Sequence, residues 1–159
     1  MAYHGVELQN SITIGKIFSI HYFEYMSNFS FAGESHNFWE FICVDKGEVG
    51  VTRGKSYTIL KKGDLIFHKP NEFHDVKATG GIAPNLVVIS FECNDDAMYF
   101  FNDRLLQIDE TERNLLANII IEARRCFDCR LDDPYLQNMP LKDPDTFGAQ
   151  QMIKLYLEH

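Results

Sequence analysis

The chain has 159 residues, 45% of them hydrophobic and 24% charged, with a formal net charge of −8. That balance fits one compact unit with a real core and excludes both a disordered chain and a small disulfide scaffold. It carries no Lys/Arg cluster able to neutralise a row of phosphates, so nucleic-acid binding by these residues alone is not expected.

From Ile12 to Phe91 short runs rich in β-branched and aromatic residues alternate with turn signals, the pattern of an antiparallel sandwich or barrel. The expected strands are Ile12 to Tyr25, Phe38 to Thr52, Ser56 to Leu60, Asp64 to His68, His74 to Ala78 and Leu86 to Phe91. Arg53-Gly54, Lys62-Gly63-Asp64 and Gly80-Gly81 supply the turns between them.

Alternation along a strand sets the faces: if Glu40 points inward, Phe38 and Ile42 follow it, while Trp39 and Phe41 point outward to receive helices. A bulge near this segment would reverse that assignment.

Near Asp109 the period changes from two to about 3.6, with Leu116, Ile119, Ile120, Ala123 and Phe127 on one face. Asp109 and Glu112 have the spacing of a capping box, and Arg124, Arg125 and Arg130 follow at the other end, as the helix dipole favours.

After a polar, proline-bearing stretch from Leu131 to Lys142, Asp143-Pro144 reads as the start of a second helix that runs to the end. Its stripe is Ala149, Met152, Ile153, Tyr156 and Leu157. The two stripes either pack on their own barrel or join a second subunit; Leu116, Ile119, Ile120, Ala123, Phe127, Met152, Ile153 and Tyr156 are the candidate dimerisation residues. The expected division is a barrel with an N-terminal arm over 1–108 and a helical element over 109–159.

Cys43, Cys93, Cys126 and Cys129 lack the second ligand pair of a zinc ribbon and the βαβ setting of a redox motif, so reduced structural thiols are expected. No run of about 18 apolar residues and no secretory leader is present, which makes a cytoplasmic protein the expectation. No nucleophilic triad, phosphate loop or nucleotide fingerprint stands out, and no catalytic residue is assigned. Leu157-Glu158-His159 resembles the start of an affinity tag, and the last helix lacks a stop signal, so a truncated chain is expected.

The segment from His36 to Gly47 (HNFWEFICVDKG), with Gly63-Asp64-Leu65-Ile66-Phe67 and Pro70-Asn71-Glu72-Phe73-His74 downstream, resembles the two motifs of cupins. The style is closest to the N-terminal sensory domains of AraC-type transcription regulators. In metal-binding cupins two histidines, a glutamate and a later histidine hold one divalent metal; by position the candidates here are His36, Glu40 and His74. Glu34 stands where the first histidine would be, and His74 falls one residue nearer the proline. Both departures favour the sensory branch over the enzymes.

The resemblance implies a mainly β fold with C-terminal helices, a cupin-like jelly roll followed by a two-helix linker. It also implies a small-molecule effector, a sugar among the candidates, a homodimer, and DNA control through a helix-turn-helix domain that is not in this sequence. No cofactor and no enzymatic activity are expected on this reading. The alternative is a metal-dependent cupin enzyme, a dioxygenase or isomerase, with one divalent transition metal. A mobile arm before Ile12, lying over the barrel mouth, is a further implication.

His36, Glu40 and His74 are also compatible with a polar network that only braces the barrel. Tyr22, Phe67 and Phe73 are the aromatic candidates for ligand contact beside those three, with Trp39 assigned to packing by its parity. His21 and His68 have no partner at motif spacing and read as ordinary strand or loop residues.

Overall fold

The computed structural model describes residues 1–25, 27–142 and 146–159. The strands are β1 (Ile17–Glu24), β2 (Ser30–Glu34), β3 (Trp39–Lys46), β4 (Glu48–Arg53), β5 (Ser56–Lys61), β6 (Asp64–His68), β7 (His74–Ala78), β8 (Asn85–Phe91) and β9 (Leu105–Gln107). A 3₁₀ turn covers Asp96–Phe101, and the helices are α1 (Glu110–Cys126) and α2 (Ala149–Glu158). None of the described helices is long and apolar enough to cross a membrane.

Two antiparallel sheets face each other, one ordered β1-β8-β3-β6-β9 and the other β2-β7-β4-β5. With helices following, this is a jelly-roll architecture of the mainly β class. The expected strand over Phe38 to Thr52 is in fact β3 and β4, because the chain reverses at Gly47. Gly47 has φ +72°, and a Cβ there would lie 2.5 Å from the Ala83 carbonyl oxygen, so only glycine fits this reversal. The first strand starts at Ile17 rather than Ile12, and β2 and β9 lie outside the expected set.

Alternation divides the core in two. Phe23, Ile42, Val44, Val49, Val51, Leu60, Ile66, Leu86 and Val88 form one buried cluster between the sheets. Trp39, Phe41, Cys43, Val87, Ile89 and Phe91 face the other way and meet α1 and α2. The odd positions of β3 therefore receive the helices, as the parity of Glu40 requires.

Asp109 caps α1 with the full capping box: its side chain accepts from Thr111 N–H, and Glu112 accepts from Asp109 N–H. Helix α2 follows Gly148, which has φ +83°; the start expected at Asp143-Pro144 lies outside the described residues.

Ile119, Ile120, Ala123 and Ile153 are buried within this chain, and Leu116, Phe127 and Tyr156 pack against the same cluster. Most of the expected dimerisation stripe thus packs on its own barrel, because the outer face of the five-stranded sheet is apolar and must be covered. Only Met152 of that set lies outside the cluster, half-buried. One hydrophobic cluster runs from Ile14 to Ile153, across the 108/109 division.

The four cysteines are free thiols; three are buried and Cys129 is half-buried. Residues 1–11 are exposed, and the chain is first anchored by Thr13 N–H on Asp95 and Ile14 N–H on Glu158. Ile12 and Ile14 belong to the outer cluster, and no residue before Phe18 is among those lining the space between the sheets.

Candidate functional site

A cavity of about 360 Å³ lies between the two sheets. Strand β1 contributes Phe18, Ser19, His21 and Phe23; β3 gives Glu40, and β8 gives Leu86, Val88 and Ser90. Phe18 and Ser19 both line it because the β1–β8 register shifts between Ile17 and Ser19, a local irregularity that interrupts alternation. From the opposite sheet come Phe31, Glu34, His74 and Val76, while His36 and Phe38 approach along the segment between β2 and β3. Pro134 to Gln137, in the α1–α2 connection, complete the lining, and Tyr135 among them is exposed.

Glu40 sits at the centre. Its Oε2 accepts a 2.7 Å hydrogen bond from Ser90 Oγ, which lies 2.8 Å from Ser19 Oγ. His36 Nε2 approaches Glu40 Oε2 to 3.4 Å, and His74 Nε2 lies 3.3 Å from Glu40 Oε1 and 4.0 Å from Glu34 Oε1. These approaches are of ion-pair range but lack hydrogen-bond alignment, so both Nε2 atoms are buried without a hydrogen-bond partner. Each Nδ1 is anchored instead, His36 to the Phe38 carbonyl at 3.1 Å and His74 to the Glu72 carbonyl at 3.0 Å.

Glu34 reaches the cluster through backbone geometry. The β2–β7 register shifts between Phe31 and Glu34 and restores pairing of Glu34 with His74. Gly33, with φ +95°, makes the shift possible, since a Cβ there would collide with the Phe73 ring and the His74 carbonyl.

Burial pushes the Glu40 carboxyl up, but the His36 and His74 imidazoles beside it outweigh burial and hold it below the usual carboxylate range. Burial opposes the charged form of His74, yet its contact with Glu40 raises it above an ordinary histidine. His68 is pushed down to about 3 by burial first and by the charge on His74 second. Burial also lowers His21, whose Nδ1 lies 3.2 Å from the Leu131 carbonyl.

Of the sequence candidates, His36, Glu40 and His74 meet in one place, and the aromatic ones do not join them. Tyr22 lies on the outer side of β1, its hydroxyl donating to Asp45. Phe67 packs on the outer face with Phe41 and Phe101, because it alternates with the inward His68. Phe73 is exposed, its ring against Gly33.

Conversely, His68 is 1% exposed, pairs with Glu40 across β3–β6 and stacks on His74 at 4.3 Å. The inward parity of Glu40, carried across an antiparallel β3–β6 pair, would have found His68 and expelled Phe67. His21, Ser90 and the 134–137 segment carry no motif and became visible only with the register.

Glu34, His36, Glu40 and His74 each offer one ligand atom, all within 4.8 Å of one another. Two imidazoles with Nδ1 fixed by carbonyls and Nε2 turned toward the Glu40 carboxylate, with Glu34 beside them, suit a divalent transition metal with bonds of about 2 Å. The same set also suits hydrogen bonds to a small organic molecule.

The family model of the AraC-like ligand binding domain matches residues 18–100, just over half of the chain. Among curated proteins none matches the chain. Similar solved structures include an RmlC-like cupin from Shewanella frigidimarina, at 17% identity over 61% of this chain and 96% of that one, with TM-score 0.40. The DMSP lyase DddQ from Ruegeria pomeroyi is 15% identical over 55% of this chain and 40% of its own, with TM-score 0.40. A protein described as a predicted oxalate decarboxylase from Thermotoga maritima is 19% identical over 41% and 57%, with TM-score 0.39. The alignments with the first three structures span 55%, 52% and 57% of their lengths.

Proposed function

The chain belongs to the family of AraC-like ligand binding domains, and from that premise we propose that it is a sensory domain whose small-molecule effector binds between the two sheets. The observation that carries this reading is the open cavity of about 360 Å³ between the sheets, with the His36 and His74 imidazoles grouped around the buried Glu40 carboxylate on its wall. A network that only braced the barrel would have its surroundings filled by side chains, and no open space would lie beside it. The volume lies at the small end of the range of about 300–1,000 Å³ that ligand sites span.

In this reading the effector favours one arrangement of the α1–α2 connection, which both lines the cavity and continues into the last helix. The Leu131 carbonyl accepts from Tyr22 N–H at 3.1 Å and meets His21 Nδ1, so the connection is tied to β1 at the cavity. Control of a helix-turn-helix domain outside this chain, a homodimer, a non-enzymatic role and a cytoplasmic location are parts of the same proposal. A dimer through the helices would use the exposed Ile121 and Leu155, since the inner stripe is engaged.

The test is a thermal-denaturation screen of small polar compounds against wild type, His36→Ala and His74→Ala. An effector at 100 times its Kd stabilises by about 2.7 kcal/mol, and that gain should vanish in both variants. A screen in which every stabilising compound acts equally on all three proteins contradicts the site.

The fixed Nδ1 atoms favour a second reading, a metal-dependent cupin enzyme. Glu34, His36, Glu40 and His74 would hold one divalent transition metal, which would supply Lewis-acid polarisation of a bound substrate. Ser90 would then orient the Glu40 carboxylate and the two carbonyls the imidazoles.

A further inference from the structure

The charge of the cavity wall narrows the class of ligand. Among the described residues the lining contains two carboxylates, Glu34 and Glu40, and no lysine or arginine. Arg53, on β4 opposite His74, is not among the lining residues; its guanidinium approaches Asp103 at 4.0 Å, leaves Nη1 buried without a hydrogen-bond partner and acts by its charge on His68 behind the wall.

Resting on the effector-binding reading, we propose that the ligand is a small organic cation, a primary or quaternary ammonium carried on an apolar body. A ligand seated at Glu34 takes this half-exposed carboxylate away from water. Desolvating it costs free energy that only a positive charge, or several hydrogen bonds, offsets. A carboxylate or phosphate ligand would place like charges together beside Glu34 and is disfavoured.

The rest of the wall suits the body of such a molecule. Phe18, Phe38 and His36 form one stack, with ring centroids 4.0 and 3.9 Å apart, and His21, Phe23 and Tyr25 form another at 4.7 and 4.6 Å. Phe31 and Tyr135 line the cavity outside these stacks. Carboxylate and aromatic groups together are the means by which proteins take ammonium ions, the rings contributing attraction without the strong hydration of a free ion. His36 and His74 Nε2 supply two further polar contacts.

Isothermal titration calorimetry on protein stripped of metal, with metal content checked, separates the classes. Benzylamine and tetramethylammonium are compared with benzyl alcohol, benzoate and glucose. The expected result is binding of at least one cation about tenfold or more tighter than benzyl alcohol, with no heat from benzoate. Glu34→Gln, at an exposed position where folding is not at risk, should remove most of that preference, and Phe31→Leu should weaken the cation while keeping an apolar wall.

Tighter binding of benzoate, benzyl alcohol or glucose would overturn the cation class while leaving an effector site in place. Failure of both cations to bind, or cation binding indifferent to Glu34→Gln, also overturns it. The sensory reading itself stands or falls on the separate screen with His36→Ala and His74→Ala.

Discussion

Ser90 lies directly opposite Glu40 on the neighbouring strand, and its hydroxyl gives the Glu40 carboxylate a 2.7 Å hydrogen bond. This contact holds the central acidic group to β8, while His36 and His74 approach the same carboxylate. Ser90→Ala should therefore cost about 1–3 kcal/mol in urea denaturation, since a buried carboxylate loses its donor. Ser90→Thr keeps the hydroxyl and should recover a large part of that loss. Equal stability of Ser90→Ala and wild type would show that the bond does not hold Glu40.

Acid should destabilise the fold through its buried neutral histidines. Unfolded histidine titrates near 6.5. His68 is pushed down to about 3, and His21 is lowered, in each case by burial first. A depressed folded value means that the unfolded chain takes up the proton first, so this stability is present above 6.5 and is lost as pH falls towards 3. His74, raised by Glu40, works in the opposite sense and loses its contribution as pH rises through its folded value. NMR of the ring nitrogens at pH 5 should find His68 neutral in the native protein. A protonated His68 at that pH would contradict the burial argument.

The thiols should be inert. Cys43 is pushed up to about 12 by burial, with Asp45 adding to the effect, and Cys93, Cys126 and Cys129 are raised, each by burial first. Since the thiolate is the reactive form, an aromatic disulfide reagent at pH 8 should react slowly with native protein and rapidly with all four thiols after denaturation. A fast native reaction of Cys126 and Cys129 as a pair would point to redox chemistry instead.

The helices belong to the barrel. Ile153 is 1% exposed among residues of α1 and the outer sheet face, so Ile153→Ala should cost about 2–5 kcal/mol. Ile121→Ser and Leu155→Ser, at exposed positions, should leave stability within about 0.5 kcal/mol while weakening any dimer. Light scattering that finds wild type and both variants alike would remove the helices from the dimer proposal.

Much of this fold is legible in the sequence because its signals are local. The capping box at Asp109 and Glu112, the 3.6-residue stripe of α1 and the alternation from Trp39 to Val44 each follow from a few adjacent residues. Strand β2 escaped because Ser30–Glu34 is short, contains a glycine and buries none of its residues fully.

The site was half legible for a related reason. His36, Glu40 and His74 carry a motif, whereas His68 and Ser90 are placed by register across β3–β6 and β3–β8, a relationship between distant segments. Phe67 and Tyr22 are candidates by ring type near the motif alone, and strand parity turns both away from the cavity.

The most direct test of the sensory reading is native mass spectrometry of the purified protein, with metal analysis of the same sample. The account predicts a chain free of stoichiometric transition metal that takes up one small organic molecule per chain, with that uptake lost in His74→Ala. One tightly held transition metal per chain, absent from His74→Ala, would contradict it and move the enzyme reading ahead.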